Sequence, residues 1–221
     1  EDHIGAIPYV LKEMNIPVYG SRLALGLLEK KLEEHNVLSQ SKLETVEQGQ
    51  IIQLGEFKIE FINSCHSIAD SMALAIHTPV GVVIHTSDFK IDYTPIQGKV
   101  MDLARFAELG KSGVLLLMSD STNVEREGYT MSERVVGDAF EKIFNNARAR
   151  IIVATFASNI SRIQQIINAS LMYGRKVALS GRSMINVADV AQKLGYLDVP
   201  EGTIIDIKDI DRYRPDRVTI I

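Results

Sequence analysis

Only one cysteine occurs among the 221 residues. Cys65 therefore has no partner for an internal disulfide, which fits a reducing compartment such as the cytoplasm. No apolar run reaches the roughly 20 residues of a bilayer-spanning helix, and the opening residues carry no signal-peptide pattern, so no membrane role is expected. Internal repeats and low-complexity segments are missing as well. The net charge of −4 excludes a protein that holds nucleic acid by charge alone. One further shortage is local. From Arg148 to Ala188 there is no Asp or Glu, yet Arg148, Arg150, Arg162, Arg175, Lys176 and Arg182 remain. The preceding 147 residues carry 13 basic against 21 acidic side chains, and the closing 33 carry 5 against 7. A buried core segment would be free of acids too, but it would not keep six basic residues. The stretch is expected to face phosphate.

A chain of this length, 46% hydrophobic and 24% charged, suits a globular protein of one large or two small domains. Apolar spacing predicts a first helix over Ile4–Asn15, a short buried strand over Ile16–Gly20, and a second helix capped by Ser21. Leu23, Leu25, Leu27, Leu28 and Leu32 form the apolar face of that second helix. From Lys42 to Asp88 the period changes to two, predicting a meander of five strands in one sheet. A helix over 101–109 and a fully apolar strand over Gly113–Met118 follow. After Asn123 strands and helices alternate: a helix from about Ser132, a buried strand Ile151–Phe156, a helix Asn159–Tyr173, a strand Lys176–Ser180, a helix Ser183–Leu194 and a strand Val218–Ile221. Alternation of this kind builds a parallel, doubly wound sheet. A boundary near Gly128 divides the chain into 1–128 and 129–221.

Residues that could carry chemistry lie where apolar runs stop. They are Asp2-His3 before the first helix, His66 in Ser64-Cys65-His66-Ser67-Ile68-Ala69-Asp70-Ser71, Asp88 in His85-Thr86-Ser87-Asp88-Phe89-Lys90, and Asp120 in Ser119-Asp120-Ser121-Thr122-Asn123. Asp2 and His3 are expected near the positive end of the helix dipole, where a carboxylate and an anionic ligand are both favoured. Neutral imidazoles joined by a carboxylate able to bridge are the ligand types of a two-metal hydrolytic site. Singly, each has a plain structural reading: Asp2 an N-cap, His66 a strand-end hydrogen-bonder, Asp88 a turn cap. His77 and His85 alternate with apolar neighbours and are expected to satisfy local hydrogen bonds. Asp70 is expected to support its turn. A second constellation is the strand-to-helix turn Thr155-Phe156-Ala157-Ser158-Asn159, where hydroxyl, amide and backbone N–H groups could receive an anion. There Phe156 is expected in the core rather than stacked on a base. Gly181-Arg182-Ser183 repeats the arrangement, making Arg182 a second phosphate candidate.

Taken in order, these motifs resemble the ribonuclease J family of the metallo-β-lactamase superfamily, β-CASP branch. Glu1-Asp2-His3 is similar to the second half of its His-x-His-x-Asp-His metal motif, so the two leading histidines lie outside the chain. The resemblance implies an α/β fold: a partial metallo-β-lactamase αββα layer over 1–128, then part of a doubly wound parallel-sheet β-CASP domain over 129–221. It implies that His66 serves a first zinc, that Asp2 and His3 serve a second, and that Asp88 bridges them, with manganese an alternative metal. It implies that Asp120 supports the catalytic cluster from behind, and that Ala157, Ser158 and Asn159 bind substrate, with Arg182 added by the repeated strand-to-helix arrangement. It implies an RNA phosphodiester hydrolase with 5′-to-3′ exonuclease and endonuclease activity in RNA processing and decay. The expected substrate is RNA with a 5′ monophosphate, in a cytoplasmic homo-oligomer or a pair with a paralogous subunit. Ala69 and Ser87 depart from the family pattern, which has proline and glycine there. Two other readings share the ligand residues: a hydrolase of small esters, thioesters or lactams, and a non-catalytic partner subunit. Lacking part of its ligand set, the 221-residue chain alone is expected to be inactive and to bind metal weakly.

Overall fold

The computed structural model describes residues 3–221, which form two compact units. One unit holds the described residues up to His66 together with Asp70–Ile91 and Lys99–Gly128, and the other holds Ser67–Ala69, Asp92–Gly98 and Tyr129–Ile221.

In the first unit, helix α1 spans Ile7–Glu13, strand β1 Pro17–Gly20, helix α2 Arg22–Glu34 and strand β2 Lys42–Thr45. The Ser21 hydroxyl accepts the Ala24 amide at 3.4 Å, which satisfies one orphan donor at the start of α2. Leu25, Leu28 and Leu32 fall on one stripe of α2 and pack with Leu11 and Val37, flanked by Val18 and Leu43. Each such buried leucine stabilises by about 2 kcal/mol. The β1 strand is only partly buried, and it pairs in parallel with β2 as a separate two-stranded sheet. The expected five-strand meander therefore loses its first member. Two-residue alternation reports which face of a strand is wet, and says nothing of which neighbour the strand chooses.

The remaining strands are β3 (Ile51–Leu54), β4 (Phe57–Asn63), β5 (Met72–Thr78), β6 (Gly81–His85) and β7 (Leu116–Met118), with helix α3 (Leu103–Ser112) before the last. They form one sheet in the order β3-β4-β5-β6-β7. Gly55, at φ +60°, makes the tight β3–β4 turn. Leu109 is buried with Ile62, Ala73, Ala75 and Ile84, and Phe106 packs beside them. An ion cluster adds a second tie. Arg105 of α3 donates from Nε and Nη2 to the two oxygens of Glu60 on β4, at 2.7 and 3.0 Å, and from Nη1 to Glu108 at 2.8 Å. Of the fully apolar strand expected over Gly113–Met118, three residues pair in the sheet, at its edge, and Leu115 to Met118 are between 47% and 61% exposed. An apolar run looks the same in sequence whether a second layer covers it or not.

The second unit contains α4 (Glu133–Asn146), β8 (Ile151–Ile152), α5 (Ile160–Met172), β9 (Lys176–Ala178), α6 (Arg182–Lys193), β10 (Ile204–Ile205) and β11 (Val218–Ile220). All strand pairs here are parallel, in the order β10-β9-β11-β8. Ile160, Ile163, Ile166 and Ile167 of α5 are buried, as are Val177 and Val218. Arg175 is 3% exposed and donates to the carbonyls of Ala147, Ala149 and Val218 at 2.9–3.2 Å. The expected buried strand Ile151–Phe156 shrinks to two residues on the sheet edge, leaving Ile152 74% and Phe156 80% exposed. The fold class is α/β, with two parallel sheets and one mixed sheet among the described residues. Among the described residues no helix is long and apolar enough to cross a membrane.

Candidate functional site

Strand direction gathers the chemistry of the first unit. Because β4 is antiparallel to β5, β5 to β6, and β6 parallel to β7, the strands β4, β6 and β7 all run the same way. Their C-terminal ends therefore lie along one sheet edge, where they release Ser64–His66, Thr86–Asp88 and Ser119–Asp120. The Lys90 amide donates to the Cys65 carbonyl at 2.7 Å and the Thr86 amide to that of Met118 at 3.0 Å, so adjacent turns are laced together.

At this edge two imidazoles meet one carboxylate oxygen. His3 Nε2 lies 3.2 Å and His66 Nε2 3.7 Å from Asp88 Oδ2. Residues 3, 66 and 88 are thus brought together, while Asp2 lies outside the described residues. Helix α1 begins at Ile7, with Ala6 as its N-cap and no side-chain cap, so His3 does not open the helix. The expected placement of His3 at a helix dipole is corrected: the turn over His3–Ala6 intervenes. Burial pushes the His66 imidazole below its usual range, against the opposing pull of Asp88 and Asp120. A neutral imidazole is what a metal ligand requires. Two imidazole nitrogens and a carboxylate oxygen suit a borderline divalent ion. In the present arrangement they contact each other, and among the described residues no group of three or more His, Cys, Asp or Glu closes around a metal.

Asp120 belongs to the same cluster through its electrostatic pull on His66. Its Oδ1 accepts the Thr122 amide at 2.9 Å and hydroxyl at 2.7 Å. These bonds, with another from the Phe89 backbone, hold its carboxyl below the ordinary carboxylate range. Thr86, 5% exposed, receives the Asp120 amide on its hydroxyl oxygen at 3.0 Å and donates to the Ser87 carbonyl at 2.8 Å. The Ser87 amide donates to His85 Nδ1 at 3.1 Å, so His85 does satisfy a local bond. Ser87 itself sits at φ +54°, the left-handed region that favours glycine. His77 lies 3.3 Å from Glu60, away from this cluster. Thr86 and Thr122 carry functional geometry that motif reading passed over. A hydroxyl residue flanking an acid at a strand end was the available signal.

The second unit presents the turn Thr155–Asn159. Asn159, and not Ser158, caps α5: its side-chain oxygen accepts the Arg162 amide at 3.1 Å, and the residue is buried. Ala157 and Ser158 are half-buried, and Phe156 beside them faces solvent, contrary to its expected place in the core. Arg182 is exposed at the start of α6, after the uncapped Gly181. The expected phosphate-facing surface from the acid-free stretch is corrected in part. Arg162 is spent on Glu133 at 2.7 Å, Arg150 on Asp211 at 3.1 Å, Lys176 on the Gly202 carbonyl at 2.6 Å, and Arg175 on backbone carbonyls. The acids are distant in sequence and near in space.

Residues 148–221 match the family described as ribonuclease J, beta-CASP domain. Among curated proteins, the whole chain is similar to a ribonuclease J from Synechocystis sp., 48% identical, covering 35% of that protein. It is also similar to a ribonuclease J from Helicobacter pylori, 46% identical over 32% of that protein, and to ribonuclease J2 of Bacillus subtilis, 38% identical over 40%. The chain therefore spans about a third of the length of the relatives it matches. Among solved structures, a protein of unknown function from Enterococcus faecalis V583 shares the fold, with a TM-score of 0.66 at 15% identity, covering 93% of this chain and 53% of that one.

Proposed function

Given that the chain belongs to the ribonuclease J family, we propose that the whole protein hydrolyses RNA phosphodiesters, with the turns at the ends of β4, β6 and β7 as part of its catalytic centre. The observation that carries this is the convergence of His3 and His66 on one oxygen of Asp88, from segments separated by as many as 85 residues. Asp2, His3, His66 and Asp88 would hold two divalent ions, zinc or manganese, together with histidines from parts of the protein this chain does not span. When bound, such ions neutralise charge on the pentavalent phosphorus and acidify the attacking water. The chain's own groups do the rest. Burial favours the neutral His66 imidazole, the form with a lone pair to donate. Asp88 offers a carboxylate between the two imidazoles, and Asp120, ionised by its Thr122 and Phe89 hydrogen bonds, adds fixed negative charge beside His66.

In the second unit, Ala157, Ser158, Asn159 and Arg182 are assigned to the RNA backbone, with Asn159 also capping α5 and so holding the Ala157–Ser158 turn in shape. Phe156, 80% exposed in that turn, would stack on a base. On this reading the 1–128 segment is a partial metallo-β-lactamase domain and 129–221 a partial β-CASP domain. The protein would act in the cytoplasm on RNA bearing a 5′ monophosphate, as both exonuclease and endonuclease in RNA processing and decay, as a homo-oligomer or beside a paralogue. The 221-residue chain alone would be inactive. The deciding experiment offers full-length protein 5′-monophosphorylated RNA, nitrocefin and a thioester. Cleavage of RNA alone is the expected result, and thioester or lactam turnover without RNA cleavage rejects the assignment.

A further inference from the structure

Thr86 stands where β6 ends and the Asp88 turn begins, and its side chain is buried. Its hydroxyl donates forward to the Ser87 carbonyl at 2.8 Å and accepts the Asp120 amide at 3.0 Å. The Thr86 amide donates to the Met118 carbonyl at 3.0 Å, so the two acidic turns are tied through both the backbone and the side chain of Thr86. Ser87 explains why a stitch is needed. With φ at +54°, a serine holds a conformation that persists only where its surroundings over-determine it. Its amide is taken by His85 Nδ1 and its carbonyl by Thr86, so both backbone groups of the strained residue are tied down. Releasing the carbonyl frees the peptide that aims Asp88 at His3 and His66.

We propose that Thr86 is a positioning residue: its hydroxyl fixes the Asp120 turn against the Asp88 turn and so sets the direction of the Asp88 carboxylate. The catalytic consequence rests on the function proposed above, while the coupling itself does not. The test uses full-length protein carrying Thr86→Val, which keeps shape and removes the hydroxyl, and Thr86→Ser, which restores it. Amide hydrogen exchange at Asp120 is expected to speed up at least about tenfold in T86V and to stay near wild type in T86S. On RNA, kcat of T86V should fall about 10–100-fold, the range for loss of a group that orients a metal ligand, with KM within about threefold and T86S largely rescued. Zinc titration should show weaker binding in T86V by a similar factor. Unchanged exchange at Asp120 in T86V overturns the proposal, as does a T86V that only melts earlier while its folded fraction turns over at the wild-type kcat. If wild-type protein cleaves no RNA, the functional assignment falls, and the exchange comparison alone then decides the role of Thr86.

Discussion

The first unit concentrates charged and imidazole groups where the second disperses them. In the first, three strands of common direction deliver His66, Asp88 and Asp120 to one edge, and His3 joins from a turn. In the second, six basic residues that look like a patch in the sequence separate: Arg150 and Arg162 find acids, Arg175 is buried among carbonyls, Lys176 meets Gly202, and Arg148 and Arg182 stay at the surface. The difference teaches that convergence follows from strand direction, whereas local excess of one charge does not. An arginine surrounded by neutral sequence can still be neutralised by an acid 61 positions away, as Asp211 does for Arg150.

The largest effect should come from the point of convergence. Asp88→Asn in the full-length protein is expected to lower RNA cleavage by about 10³-fold, corresponding to several kcal/mol of transition-state stabilisation. Circular dichroism should remain unchanged. A D88N protein that cleaves RNA at the wild-type rate would make the imidazole–carboxylate cluster a structural one, like the arginines of the second unit. Next is Arg175, the most deeply used of those arginines. Arg175→Met leaves three carbonyls without their donor and should cost about 3 kcal/mol in urea denaturation. A loss under about 0.5 kcal/mol would show that the guanidinium is not the tie it looks like.

Acid provides a third probe of the comparison, this time within the first unit. The Arg105 hydrogen bonds, aided by His77 and opposed by burial, hold the Glu60 carboxyl below its ordinary 4.5. A carboxyl lowered in the folded state contributes stability that is complete above the unfolded value and vanishes as pH falls through the lowered native value. Denaturation should therefore show stability declining below about pH 4.5, and Glu60→Gln should flatten that decline. Equal acid sensitivity in wild type and E60Q would place the titrating group elsewhere. The smallest effect separates exposed from paired arginines. Arg182→Ala should weaken RNA binding a few-fold and reduce its salt slope by about one, with stability unaltered. Arg162→Ala should do the reverse, costing about 1 kcal/mol of stability with the salt slope unchanged. Identical salt slopes in both variants would dissolve the distinction.

Much of the local structure was legible in the residues. The leucine stripe of α2 and its Ser21 cap, the Gly55 turn, and the helix–strand alternation after Ser132 depend on neighbours within a few positions, and those neighbours are visible in sequence. The placement of α1 was less legible, because the apolar spacing runs through Ile4–Ala6 without a break, and only Gly5 hints at a turn ahead of the Ile7 start. Burial was least legible. Leu115–Met118 and Ile152 are as apolar as any core strand, yet they sit at sheet edges where no described layer covers them. The left-handed Ser87 was foreseeable only from its standing where the family has glycine.

The sequence by itself determined the residue types available for chemistry and the segments that would become strands and helices, because propensity, capping and periodicity act over one or two turns of chain. Tertiary structure alone decided that β4, β6 and β7 would point the same way. It likewise decided that Thr86 would reach Asp120, and that four of six basic side chains would be spent internally. Those outcomes depend on contacts between residues tens of positions apart, which no local pattern encodes.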